Sequence, residues 1–338
     1  MARLTWLCLV KIMPEPKSAP PSSSICLVVC FIGRFPSYID CVWRSCASNP
    51  DITWLIFTDN TTPPHLPSNV RFEPATLDGL QKVFSKKLGF EVNLSHVRLL
   101  CHFKAAYGIL FEEHLTSYRF WGHCDLDMVF GDLRKFFNED ILSAYDKLLC
   151  RGHLTLYRNT AENNRVFMRE CPGVRGFRDV FKADQYHPFD EWLGVDLIYR
   201  YYGLRQFHEE TIADIQPPTR WRFTRFETVA GPNSPEQVFY WHNGKTYRAY
   251  LNCDDGISDD EFAYIHFQKR PFPGLDFDPF EANGFLLTPD GFFPYNREPL
   301  TGEDFARYNR SRWRPANQLA RRVFLAIGKR LGLADWDA

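Results

Sequence analysis

Two carboxylates stand two residues apart in Trp121-Gly122-His123-Cys124-Asp125-Leu126-Asp127, at the end of an apolar-aromatic run over residues 118–122 that reads as a strand. Carboxylates this close repel each other unless they share a cation. At the carboxyl end of a central strand in an open α/β sheet they point into the crevice where ligands bind. Oxygen donors suit Mg²⁺ or Mn²⁺, which keep positions open for diphosphate oxygens. Such an ion stabilises the charge left on a nucleoside diphosphate as a sugar departs. The D-x-D spacing is also common in loops and helix caps, so it points to a metal only together with the strand before it.

Three further groupings carry usable chemistry. In Tyr264-Ile265-His266-Phe267-Gln268-Lys269-Arg270 a strand presents a histidine and two cations follow. His266 can complete a metal site and Lys269 or Arg270 can face phosphate, although a surface strand with solvated cations reads the same way. Phe189-Asp190-Glu191-Trp192 sets acids beside an indole, a grouping that deprotonates an acceptor hydroxyl while the ring packs on a sugar; acids at a helix N-terminus look identical. Gly152-His153-Leu154 suits the acceptor side or a structural histidine with satisfied hydrogen bonds.

The elements that must position these residues begin at residues 25–32, a continuous apolar run closed by Gly33 and read as a strand buried on both faces. A helical stretch over 37–47 stops at Asn49-Pro50, and a β-rich run over 52–58 follows, making one βαβ unit. A strand at 70–73 and helices at 76–88 and 95–111 lead to the acidic pair. Beyond it the pattern mixes short strands (147–150, 155–157, 262–267) with helical segments (163–170, 174–181). Asn243-Gly244 between two β-rich runs demands a two-residue type I′ hairpin.

Of 338 residues, 40 are Lys or Arg and 41 are Asp or Glu, so the net charge of -1 draws no polyphosphate and excludes generic nucleic-acid binding. Ten cysteines without a C-x-x-C pair exclude a disulfide framework and a zinc ribbon, and a reducing cytoplasm suits them. Residues 4–13 are apolar but interrupted by Lys11, well short of the roughly 20 residues a spanning helix needs. From Arg307 to Arg330 eight cations accompany Leu319, Val323, Ile327 and Leu331, the pattern of a basic amphipathic helix. It either lies on an anionic leaflet or packs its apolar stripe on the domain.

On these residues the chain resembles an uncharacterised bacterial family of glycosyltransferase-like proteins, and more distantly the D-x-D galactosyl- and mannosyltransferases. The resemblance rests on the Trp121-to-Asp127 segment, Phe130-Gly131-Asp132, Phe31-Ile32-Gly33, Phe57-Thr58-Asp59, Ala106-Tyr107-Gly108 and the three groupings above. It implies a nucleotide-sugar donor and Mn²⁺ or Mg²⁺ held by Asp125, Asp127 and His266. It also implies donor contacts from Phe31, Asp59, Lys104, Asp125 and Lys269, substrate contacts from Trp121, His123 and His153, and catalysis by Asp190 and Glu191. Asp59 ends the second strand, where an acid accepts hydrogen bonds from ribose hydroxyls, although Thr58-Asp59-Asn60 also reads as turn chemistry. The segment from Arg98 to Ala105 departs from the pattern, with His102 where an acid is expected.

The expectation is therefore an α/β protein with a GT-A-like, mixed, mostly parallel sheet flanked by helices. Residues 1–24 are read as a disordered extension, 25–270 as the catalytic domain, and 271–338 as an irregular segment ending in the basic helix. The expected reaction moves a sugar from a nucleoside-diphosphate donor to a glycan or lipid-linked glycan in the cytoplasm, with peripheral membrane contact through that helix. Two rivals stand beside it. One is a haloacid dehalogenase-type phosphohydrolase using Asp125 and Asp127 with Asp254-Asp255 or Asp259-Asp260; the other is a non-catalytic nucleotide- or glycan-binding module.

Overall fold

The computed structural model describes residues 24–208, 211–216, 226–229, 232–252, 256–268, 270, 272–295 and 300–310. Residues 1–23, the basic segment beyond 310, Lys269 and Asp254-Asp255 lie outside the described residues. Ser24 belongs to the fold, since its carbonyl accepts from the backbone N–H groups of Arg119 and Phe120.

The first half of the chain runs β1 (Ile25–Phe31), α1 (Ile39–Ala47), β2 (Ile52–Thr58), β3 (Val70–Pro74), α2 (Leu77–Leu88), β4 (Phe120–Cys124) and β5 (Met128–Phe130). Next come β6 (Lys147–Arg151), β7 (Leu154–Arg158), β8 (Gln206–Phe207) and β9 (Ala213–Asp214). The main sheet has the order β3-β2-β1-β4-β7-β6-β8, and only β7 runs against its neighbours. The fold is thus mixed α/β with a mostly parallel central sheet.

β1 is apolar throughout because both its faces are covered. Ile25, Leu27 and Val29 meet Val42 and Trp43 of α1, whereas Cys26 and Val28 meet Leu80 and Phe84 of α2 together with Leu99 and Phe103. α2 starts where the Thr76 hydroxyl accepts from the Gly79 N–H and stops at Gly89, whose φ of 74° is the left-handed region glycine tolerates. The stretch expected as one helix over 95–111 is instead a 3₁₀ segment, Val97–Ala106, followed by the short helix Tyr107–Leu110. Winding with three residues per turn stacks Leu99, His102 and Ala105 in one buried row and Leu100, Phe103 and Ala106 in another, a match to the core that 3.6 residues per turn would miss.

The second half adds β10 (Gln237–His242), β11 (Lys245–Leu251), β12 (Ile257–Phe262), β13 (Tyr264–His266), β14 (Gly284–Thr288) and β15 (Gly291–Pro294). A five-stranded antiparallel sheet has the order β12-β11-β10-β14-β15. Its β10–β11 turn carries Asn243 and Gly244 at φ 46° and 82°, as a type I′ turn requires. The segment after residue 270, expected to be irregular, here supplies the β14–β15 hairpin and a helix, Gly302–Tyr308, with a Thr301–Asp304 capping box. Its phenylalanines explain the order: Phe285 and Phe292 are buried against the main core. A third, small sheet has the order β5-β13-β9 and holds Asp214 and His266.

Candidate active site

The loop Asp125-Leu126-Asp127 lies between the end of β4 and the start of β5. It is tied down on both sides, the Asp125 N–H donating to the His153 carbonyl at 2.9 Å and the Phe267 N–H to the Asp127 carbonyl at 3.0 Å. Antiparallel pairing of β13 with β5 sets His266 opposite Met128, next to Asp127. One donor atom from each of Asp125, Asp127 and His266 can be chosen so that all lie within 4.8 Å of one another.

His266 is buried between two acids. Its Nδ1 lies 2.8 Å from Asp214 Oδ1 and its Nε2 3.5 Å from Asp127 Oδ1. Burial alone would lower its pKa, but Asp127 and Asp214 outweigh that and hold it up at about 10. A divalent cation fits this donor set: two carboxylates, and an imidazole whose other nitrogen is engaged by a carboxylate, which orients the ring toward the ion.

Lys104, from the 3₁₀ segment, donates to Asp125 Oδ1 and to the Gly152 carbonyl, each at 2.7 Å, and stands 3.8 Å from Asp190 Oδ2. Burial opposes its charge, yet Asp125 and Asp190 push its pKa above the ordinary lysine range. Asp190 is itself buried. Desolvation raises it to about 7, with Glu191 and Asp125 acting in the same direction and Lys104 against. Glu191 accepts from the Tyr186 hydroxyl at 2.9 Å. Gly152 lets these acids approach, because a Cβ there would lie 3.0 Å from Glu191 Oε1 and 3.1 Å from Asp190 Oδ2.

Asp214 is the residue that sequence reasoning missed. Parallel pairing of β9 and β13 puts it opposite His266, and it also accepts from Gln268 Nε2 at 3.0 Å and Arg151 Nη1 at 3.1 Å. Burial would raise its pKa, but His153 and His266 hold it well below the usual carboxylate range. His153 stacks on His266 with ring centroids 4.2 Å apart and lies 3.1 Å through Nδ1 from the Tyr264 hydroxyl. Its own pKa falls to about 4, chiefly through burial and then through His266. A lone acid in Ile212-Ala213-Asp214-Ile215 is the only local signal, and it is weak.

The other expected site residues are placed as follows. Trp121 and His123 are fully buried. Trp121 stacks on Tyr157, donates to Asn164 Oδ1 at 2.7 Å and lies against Gly108, so a sugar cannot reach it. His123 sits on β4 between Val28 and Thr155, with its pKa driven well below the usual histidine value, first by burial and then by Lys104. Residues 121, 123 and 125 share one side of the strand, and only Asp125 clears its end. Asp59 is exposed at the end of β2, where its Oδ1 accepts from the Gly33 N–H at 2.9 Å, and Phe31 at the end of β1 stacks on Phe35. His102 accepts through Nε2 from the His187 N–H at 2.9 Å, latching the segment that carries Asp190. Its pKa falls to about 4, mostly by burial and next through His187.

Asp259 and Asp260, the late acids of the phosphohydrolase reading, are on β12. There they bond to Tyr240 and Arg248 and do not join Asp125. Another group able to hold a metal, Cys150, Asp196 and His208, has its carboxylate already paired with Lys147 at 2.9 Å and Arg200 at 2.7 Å. No helix among the described residues is long and apolar enough to cross a membrane.

Fold and site together define a mixed α/β protein with an acid-and-histidine cluster at the carboxyl end of its central sheet. The chain belongs to the family of unknown function DUF6625, whose model matches residues 27–296, from β1 to just past β15. No curated protein matches it in sequence. Among solved structures it is similar to the galactosyltransferase LgtC in complex with donor and acceptor sugar analogs, at 11% identity over 72% of this chain and 86% of that one, with a TM-score of 0.37. An active-site mutant of LgtC matches over the same shares at 11% identity and a TM-score of 0.34. The glycosyltransferase GlyE of Streptococcus pneumoniae TIGR4 matches at 9% identity over 56% of this chain and 45% of that one, with a TM-score of 0.29.

Proposed function

We propose that the protein is a metal-dependent glycosyltransferase of GT-A-like fold that moves a sugar from a nucleoside diphosphate to a hydroxyl of a glycan acceptor, of the cell-surface polysaccharide type. The observation that carries this reading is the convergence of Asp125, Asp127 and His266 beside Lys104 and Asp190. Asp125, Asp127 and His266 hold Mn²⁺ or Mg²⁺. When bound, that ion supplies positive charge to the diphosphate as the sugar departs. Lys104 adds a second cation next to the same oxygens, held in place by Asp125 and Gly152. Asp190, in its ionised form, accepts the proton of the acceptor hydroxyl, and Glu191 beside it favours holding that proton. Asp59 and Phe31, at the open ends of β2 and β1, face the nucleotide.

A thermal-shift screen of uridine and guanosine diphosphates with and without Mn²⁺ tests the reading. A ligand that binds only the folded chain adds about 2.7 kcal/mol at a hundred times its dissociation constant. The expected result is stabilisation by one nucleotide only when the metal is present, followed by release of that nucleoside diphosphate from its sugar conjugates. Binding without cleavage of any conjugate would make the chain a binding module. Hydrolysis of a plain aryl phosphate without any nucleotide dependence would return it to the phosphohydrolases.

A further inference from the structure

Among the described residues, five of the eight exposed large apolar side chains fall within one short stretch: Tyr186, Trp192, Leu193, Tyr201 and Tyr202. Trp192, Leu193 and Tyr201 are 57%, 56% and 60% exposed, so most of each side chain faces water. Loose chain does not explain this. Phe189 and Asp190 are buried under the same turn, and the Gly194 and Val195 N–H groups donate to the Glu191 and Phe189 carbonyls at 3.0 and 2.8 Å. The helix Val195–Tyr201 then buries Val195, Ile198 and Tyr199 and leaves Leu197 and Tyr201, one turn apart, on its outer side. An apolar strip built this firmly into the surface marks a contact with something outside the chain.

The cations beside the strip indicate what it contacts. Arg98 lies over the Tyr186 ring at 5.0 Å and Arg175 bonds to the His187 imidazole, while the Tyr186 hydroxyl donates to Glu191 next to Trp192. Neither cation has a carboxylate partner among the described residues, although Asp179, Asp184 and Glu191 belong to the same segment. Tryptophan and tyrosine with arginine at their edges are side chains that settle at the head-group level of a bilayer, rings in the boundary and charges on phosphate. A neutral glycan would use the rings but not the charges.

We propose that this edge seats the protein on an anionic lipid bilayer, with Trp192, Leu193 and Tyr201 at head-group depth and Arg98 and Arg175 on lipid phosphates. Binding itself does not depend on the transfer reaction. Its consequence for transfer rests on the proposed function: Glu191, on the same turn as Trp192 and beside the buried Asp190, would meet an acceptor hydroxyl presented from the membrane surface.

Co-sedimentation of the full chain with phosphatidylcholine vesicles, with and without phosphatidylglycerol, tests the proposal. Binding should require the anionic lipid and weaken as salt is raised. W192A/L193A/Y201A should lower binding by about tenfold or more, and R98A/R175A should lower binding to anionic vesicles by a similar factor. Unchanged melting temperatures would show that the variants fold. The basic segment beyond residue 310 is present throughout, so a triple variant that sediments like the wild type overturns the proposal, as does a wild type that ignores the vesicles. A triple variant that keeps vesicle binding but loses transfer to a soluble acceptor would turn the strip into an acceptor subsite. Donor cleavage measured without vesicles reports on the transfer reading separately.

Discussion

The His266 imidazole is held between Asp214, 2.8 Å from its Nδ1, and Asp127, 3.5 Å from its Nε2. A carboxylate on one ring nitrogen orients the other as a ligand and raises its basicity. Asp214→Asn keeps the shape and removes the charge. Mn²⁺ affinity, measured by titration calorimetry, is expected to fall roughly 10- to 100-fold; an unchanged affinity would reduce Asp214 to a structural contact.

Asp127→Asn removes a proposed metal ligand from a buried position while keeping its volume. The metal-dependent part of the thermal shift with nucleoside diphosphate should vanish, and turnover should drop by about 10²–10³. Metal-independent nucleotide binding should survive in this variant.

Asp190 titrates at about 7 because burial disfavours its charge. A base must be ionised, so transfer should rise with pH through about 7 and then level off. Asp190→Asn should remove that limb along with roughly 10²–10⁴ of the rate. The stability effect has the opposite sense. With the folded pKa above the ordinary 3.8, the folded chain binds more protons between those values, so this group's contribution is present at low pH and lost as pH rises through about 7. Denaturant melts of the asparagine variant should therefore show less loss of stability between about pH 4 and 7.

Gly152 is predicted to tolerate no side chain without cost to the reaction. Gly152→Ala would press a methyl group against Glu191 and Asp190 at 3.0–3.1 Å. The expected outcome is a lower kcat with Mn²⁺ affinity unchanged, since neither acid belongs to the metal set.

Trp121 should behave as core. Trp121→Ala is expected to cost about 3–5 kcal/mol of unfolding free energy. Trp121→Phe, which removes the donor to Asn164, should cost about 1–3 kcal/mol. The phenylalanine variant should keep the wild-type donor KM, whereas a raised KM at unchanged stability would return the indole to the substrate side.

Local signals in the chain were enough for the elements around the site. The unbroken apolar run of β1 announced a strand covered on both faces, Asn243-Gly244 announced a hairpin, and Asp125 with Asp127 announced a strand end carrying two acids. Each of these depends on residues within a few positions of one another, which periodicity and turn chemistry can express. The segment over 97–106 was legible as helical but not as 3₁₀, because its winding follows the core it packs against.

The composition, the βαβ opening and the acidic pair were thus determined by the sequence alone. Only the tertiary structure decided that β13 lies between β5 and β9, so that Asp214 stands behind His266, and that the 3₁₀ segment brings Lys104 to both Asp125 and Asp190. It also decided that Trp121 and His123 are covered while Asp125, on the same side of the strand, is not. The physical reason is that alternation along a strand tells which side chains point together, whereas what covers them is set by segments far away in the chain.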